Sequence, residues 1–190
     1  MRIIAGYLGG RNFASPHSHR THPMSDKMRG AMFNALGDIK GLTVLDAFAG
    51  SGALSFEAVS RGAKSALALE LDKSAQDIIE ENIVTLDVAE RVEMIRSHCG
   101  RWSDKNRERL FDVVLADPPY DKIPTAPLDK LIRNLKVGGI YVLSWPGNQA
   151  SVNFPGMEKL IEKSYGDGGL VFYRKVENAP SFTTLRRASR

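Results

Sequence analysis

Asp117-Pro118-Pro119-Tyr120 puts a carboxylate, two rigid imino acids and an aromatic ring directly after the apolar run Val113-Val114-Leu115-Ala116. Proline fixes φ and donates no hydrogen bond, so a sheet strand must stop there. The carbonyls left over can face a ligand. The carboxylate and the ring can clamp a flat, nitrogen-bearing group. Taken alone, a strand-to-turn junction with a satisfied Asp117 explains the same residues equally well.

A second constellation lies upstream in Val44-Leu45-Asp46-Ala47-Phe48-Ala49-Gly50-Ser51-Gly52. A buried strand ends at an acidic residue and enters a loop of small residues before a helix. Glycines there let the backbone approach a ligand at the carboxyl end of a sheet. Asp46 can accept from an ammonium or fix the loop. A tight strand–helix turn would also use Gly50 and Gly52. The dinucleotide fingerprint needs a glycine where Ser55 stands, and the Gly-Lys-Ser/Thr of a phosphate loop is missing, which argues against NAD, FAD and ATP. Glu70 ends the next apolar run at the spacing where a carboxylate accepts ribose hydroxyls. Its neighbour Leu71 can pack on a purine, although Glu70-Leu71-Asp72 can also simply cap a helix. A ligand with adenosine and an ammonium but no pyrophosphate is S-adenosylmethionine.

These residues need strand ends to hold them, and the chain supplies a periodic alternation. Strands are predicted over 42–48, 65–71, 92–97, 111–116 and 140–144, and helices over 53–60, 73–86, 103–109 and 127–136, the last stopped at Gly138-Gly139. That alternation argues for a parallel, doubly wound α/β sheet. Residues 159–165 and 170–175 flank Gly166-Asp167-Gly168-Gly169 and read as an antiparallel hairpin. Upstream, 2–7 and 11–13 read as a short hairpin turning at Gly9-Gly10. Ser25 is a good N-cap for a helix to Leu36, closed by Gly37. The expected organisation is an N-terminal extension over 1–41, a main domain over 42–175 and a polar tail over 176–190.

With 190 residues, 43% of them hydrophobic, the chain suits one packed domain with a small appendage. No apolar run approaches the roughly 18 residues of a membrane span, and no secretion signal opens the sequence. Cys99 is the sole cysteine, so no intrachain disulfide forms and a reducing cytoplasm is the expected setting. The +4 net charge is mild, but it is unevenly spread. Arg2, Arg11, Arg20, Lys27, Arg29 and Lys40 face only Asp26 and Asp38 within 1–41, which fits contact with a polyanion. His17, His19 and His22 share that segment. No cysteine or carboxylate cluster supports a metal there, and none is expected.

The whole pattern resembles the class I AdoMet-dependent methyltransferases. Asp46–Gly52 is similar to their cofactor loop, Glu70 to their ribose carboxylate and Asp117–Tyr120 to their amino-methylating signature. Arg2-Ile3-Ile4-Ala5-Gly6, Gly10-Arg11, and His22–Arg29 with Phe33-Asn34-Ala35-Leu36 resemble the RsmD family over residues 2–175. The resemblance implies a Rossmann-like fold and methylation of the exocyclic N2 amine of a guanine in bacterial 16S rRNA. Free rRNA or the small ribosomal subunit would be the partner, and a monomer is expected. It also assigns Asp117, Pro118 and Tyr120 to catalysis. Asp46, Phe48, Gly50, Ser51, Gly52, Glu70, Leu71 and His98 would bind S-adenosyl-L-methionine. Arg2, Arg11, Arg20, Lys27 and Arg29 would face RNA. Two departures stand out: His22-Pro23-Met24 replaces the family's Arg-Pro-Thr, and Ser97-His98-Cys99 lacks its Asp or Asn for the adenine amine. The alternatives are an adenine-N6 methyltransferase of DNA or RNA, a protein-glutamine methyltransferase and a non-catalytic RNA-binding protein.

Overall fold

The computed structural model describes residues 1–16, 24–121, 123–147 and 149–177. The His17-x-His19 pair, Arg20, His22 and the tail from 178 onward lie outside the described residues. Among the described residues, no helix is long and apolar enough to cross a membrane.

Five strands run parallel: β1 (Thr43–Asp46), β2 (Ser65–Glu70), β3 (Val92–Arg96), β4 (Phe111–Ala116) and β5 (Leu135–Pro146). β6 (Met157–Tyr165) and β7 (Gly168–Lys175) complete a sheet of order β3-β2-β1-β4-β5-β7-β6, with β7 antiparallel to both neighbours. The doubly wound sheet with its C-terminal hairpin is therefore present. Helices α1 (Asp26–Leu36), α2 (Ala53–Ser60), α3 (Lys73–Thr85), α4 (Cys99–Lys105) and α5 (Thr125–Leu131) pack around it.

Period-two alternation buries both faces of the sheet. Val44, Ala66, Ala68, Val113, Leu115 and Val142 join the core under α1, α2 and α3. Leu45, Leu67, Leu69, Val114, Ala116 and Leu143 join a second core with Trp102, Tyr141 and Tyr173.

The strand order reverses between β1 and β4. At such a point the connections leave in opposite directions and open a crevice at the carboxyl ends. Asp46 pairs with Leu115 across these two strands, so the Asp46–Gly52 loop and the Asp117 loop emerge side by side.

The N-terminal segment is shorter in pairing than a hairpin and more deeply embedded. Its assigned bridge pairs Arg2 with Asn12, flanked by reciprocal backbone bonds between Met1 and Phe13 and by Ile3 N donating to Arg11 O at 2.9 Å. Every residue of α2 is buried, because this segment covers its outer face. Glu57 on α2 accepts from Ile4 N at 2.8 Å and Ala5 N at 3.1 Å. Phe13 meets Phe56 edge to face at 5.5 Å. Gly6 has φ of +82°, and a Cβ there would stand 1.9 Å from Ser60 O, so only glycine allows this docking.

Two helices differ from expectation. α4 begins four residues earlier than predicted. Ser103 lies inside it: its hydroxyl donates to Lys130 O on α5, while Cys99, Trp102 and Ser103 form the buried stripe. α5 starts at Thr125, with Pro127 tolerated in its first turn, and gives way to a short 3₁₀ turn at Ile132–Asn134. Gly138-Gly139 does not stop that helix. It lies inside β5, where the register against β4 shifts between Phe111 and Val113. A Cβ at Gly139 would stand 2.8 Å from Asp112 O, so glycine permits this close crossing.

Candidate methyl-transfer site

A cleft of about 1120 Å³ opens at the carboxyl ends of β1, β2 and β4. Phe48, Gly50, Ser51, Glu70, Leu71, His98, Asp117, Pro118 and Tyr120 all line it. Residues from four separate stretches of sequence thus meet on one surface.

Asp46 and Gly52 stand behind that surface. Asp46 is fully buried. Its Oδ2 accepts from the Ser55 amide at 3.1 Å and the Ser55 hydroxyl at 2.8 Å, which fixes the loop onto the start of α2. Its Oδ1 has no hydrogen-bond partner. Burial pushes the Asp46 carboxyl up to about 7, against the Ser55 bonds, with the charges of Asp117 and Glu70 adding to the rise. Gly52 adopts φ of +80° as N-cap of α2, with the Phe56 ring where a Cβ would be. Its role in the structure is to let the loop turn tightly.

Glu70 grips the same loop from the other side. Its Oε2 accepts from Gly50 N at 2.7 Å, and its Oε1 from Leu71 N at 2.7 Å and Asp72 N at 2.8 Å. Both lone-pair sites of Oε1 are taken by the Leu71 and Asp72 amides, and Oε2 keeps one for a hydroxyl donor. Leu71, 57% exposed, presents an apolar surface beside it. Gly50 has open space where a Cβ would stand, so the backbone is bare toward the cleft. His98 is the N-cap residue of α4 but makes no side-chain cap, which leaves its ring on the cleft wall. Burial pushes the Cys99 thiol up to about 11, so it stays protonated and unreactive near neutral pH.

At the Asp117 end, burial raises the carboxyl to about 6, and the Ser144 hydroxyl offsets part of the rise. Tyr120 is 37% exposed and its hydroxyl is bonded to the Ser144 hydroxyl. Ser144 sits fully buried on β5. Sequence reasoning missed it, although it is a lone hydroxyl within Tyr141-Val142-Leu143-Ser144-Trp145. Met24 and Met28 from α1 and its approach, Met1, Asp167 from the β6–β7 turn and Gly168 at the start of β7 also line the cleft.

The basic residues assigned to RNA separate into different roles. Arg2 is exposed and pairs with Asp26 at 3.3 Å, and Lys27 is exposed on α1. Arg11 donates to Thr85 O at 2.7 Å and Leu86 O at 3.2 Å. That occupies its guanidinium at the C-terminal end of α3, where a cation is favourable. Arg29 is a correction. It is 1% exposed, donates to Arg2 O at 2.7 Å and Asp26 Oδ1 at 2.9 Å, and lies 3.8 Å from Glu57. A guanidinium so enclosed does not reach a phosphate on the surface.

Comparison with known proteins agrees with this architecture. The family model described as "Conserved hypothetical protein 95" matches residues 1–174. The chain is 39% identical over 184 residues to the Haemophilus influenzae ribosomal RNA small subunit methyltransferase D, covering 94% of each chain. It is 34% identical over 135 residues to the Buchnera aphidicola protein of the same name, covering 70% of each. Among solved structures, a conserved hypothetical protein of Streptococcus pyogenes superposes with a TM-score of 0.71 at 32% identity, over 80% of this chain and 98% of that one.

Proposed function

The chain belongs to the RsmD family, and on that premise we propose that it methylates ribosomal RNA of the small subunit. The acceptor in this reading is the exocyclic N2 amine of a guanine in 16S rRNA, and the donor is S-adenosyl-L-methionine. The observation that carries it is the meeting of the Asp46–Gly52 loop, Glu70 and Asp117–Tyr120 on one cleft at the sheet's switch point.

The residues fit that donor chemically. The unpartnered, buried Asp46 Oδ1 is a natural acceptor for an ammonium. Glu70 suits ribose hydroxyls, and Leu71 with His98 suits an adenine. S-adenosylmethionine, when bound, supplies an electrophilic methyl on a sulfonium. The chain's own groups hold and prepare the acceptor. An exocyclic guanine amine is a weak nucleophile because its lone pair is delocalised into the ring. The Asp117 carboxylate and the Pro118 carbonyl accept its two hydrogens. That turns the lone pair out of conjugation and stabilises positive charge developing on nitrogen. Tyr120 offers its ring to a base extruded from its stack. Much of the rate gain is then orientation within the cleft. The surplus proton left on nitrogen after transfer passes to an Asp117 carboxylate oxygen.

Radiolabelled S-adenosylmethionine offered with 16S rRNA, small subunits, DNA and protein tests the reading. Label should enter the RNA or subunit, as N2-methylguanine. Label in adenine or in protein would replace the guanine reading with an alternative acceptor. Asp117→Ala should abolish transfer and leave donor affinity within about twofold, whereas Glu70→Ala should weaken donor binding in titration calorimetry.

A further inference from the structure

Tyr120 sits in the Asp117–Tyr120 signature, but distant elements determine where its ring points. Its hydroxyl bonds to Ser144 on β5. β7 runs antiparallel to β5, with Leu170 opposite Ser144 and Gly168 opposite Pro146. Opposed residues and alternate residues share a face of a sheet, so position 168 lies on the same face as Ser144. No side chain stands there. A Cβ built on Gly168 would be 3.0 Å from the Tyr120 hydroxyl oxygen and 3.4 Å from the Met28 sulfur. Gly168 is not among the glycines with positive φ, so its backbone does not demand glycine. The missing side chain matters for the space it leaves.

We propose that Gly168 is a positioning residue for the acceptor clamp: its bare backbone leaves the room in which the Tyr120 hydroxyl reaches Ser144. The inference rests on the reading of Asp117–Tyr120 as that clamp. It makes the C-terminal hairpin a wall of the acceptor site. Tyr120 is then held at both ends, by the rigid prolines at its backbone and by β5 at its hydroxyl. Met28 meets the same glycine from α1, but a thioether arm yields easily at ordinary contact distance. The Tyr120 hydroxyl cannot yield without disturbing its bond to Ser144. Small displacements of a positioned group carry large rate costs.

The test is a double-mutant cycle. Tyr120→Phe removes the oxygen that a residue-168 side chain would meet. Gly168→Ala is expected to lower kcat about tenfold in the otherwise unaltered protein, on the scale of rate losses from displaced groups. In the Tyr120→Phe background it should cost less than about twofold. Donor affinity by calorimetry should be unchanged in both. Losses of equal size in the two backgrounds, a loss of donor affinity, or no loss in either would overturn the proposal. Ser144→Ala gives a second arm if Gly168→Ala folds poorly: its loss and that of Tyr120→Phe should not add, and additive losses would count against it. If the clamp reading itself is wrong, Asp117→Ala will retain turnover. If only the positioning claim is wrong, Asp117→Ala will be inactive while the cycle is additive.

Discussion

Asp117 shows what burial does to a carboxylate on a cleft wall. Desolvation lifts its proton affinity to about 6, with Ser144 pulling part of the way back. In the folded state Asp117 therefore holds its proton more tightly than in the unfolded chain. It favours folding below the unfolded carboxylate range, and that contribution is lost as pH rises through about 6. Activity has the opposite sign, because only the carboxylate accepts from an amine. We predict that kcat for methyl transfer rises as pH crosses about 6 and then levels. A rate profile flat from pH 5 to 8 would remove Asp117 from the acceptor role. Asp117 and Glu70 were legible in the sequence because a carboxylate at the end of an apolar run is a local signal. The roles of Ser144 and Gly168 were not. Both depend on β5 pairing with β7, and nothing within either segment announces that partner.

Element boundaries were legible where a single residue imposes them. The Ser25 hydroxyl accepts from Met28 N at the start of α1, and Gly37 closes it with φ of 74°. They were misread where glycine or serine serves a tertiary purpose, as at Gly139 against Asp112 O and Ser103 against Lys130 O. α2 is the clearest case of an element whose sequence carries more than its own fold. A helix buried on every side needs partners for its polar groups. Glu57 finds them in Ile4, Ala5, Arg61 and Arg29, which ties the N-terminal segment and α1 to the sheet. Removing Glu57 leaves the enclosed Arg29 guanidinium with only the half-exposed Asp26 as countercharge, and takes the acceptor from Arg61, Ile4 N and Ala5 N. Breaking a buried pair in that way costs roughly 3–5 kcal/mol. Glu57→Ala should therefore lose about 3 kcal/mol or more in urea unfolding. A loss below about 1 kcal/mol would place it with the exposed pairs.

At the scale of the molecule, the alternation of strands and helices was enough to give the parallel sheet, because both periodicities are local. The basic N-terminal region was legible as charge but not as geometry. Ile3, Leu8, Phe13, Met32 and Phe33 share one core with α2 and α3, so deleting the first residues would strip core contacts along with charge. The division of the chain at residue 41 is thus a proposal about function, and it needs a probe that leaves packing intact. Arg2 and Lys27 provide one, since both are exposed and neither fills the core. A cation facing a phosphate releases counterions on binding, and each such contact steepens the salt dependence of affinity by about 0.7–0.9. Arg2→Ala with Lys27→Ala should lower the slope of log affinity against log salt by roughly 1.5 for small-subunit RNA. Donor affinity should not move, because neither residue lines the cleft. Arg2 is already paired with Asp26, so its share should be the smaller of the two in the single variants. An unchanged slope in the double variant would take the RNA path away from this face of α1.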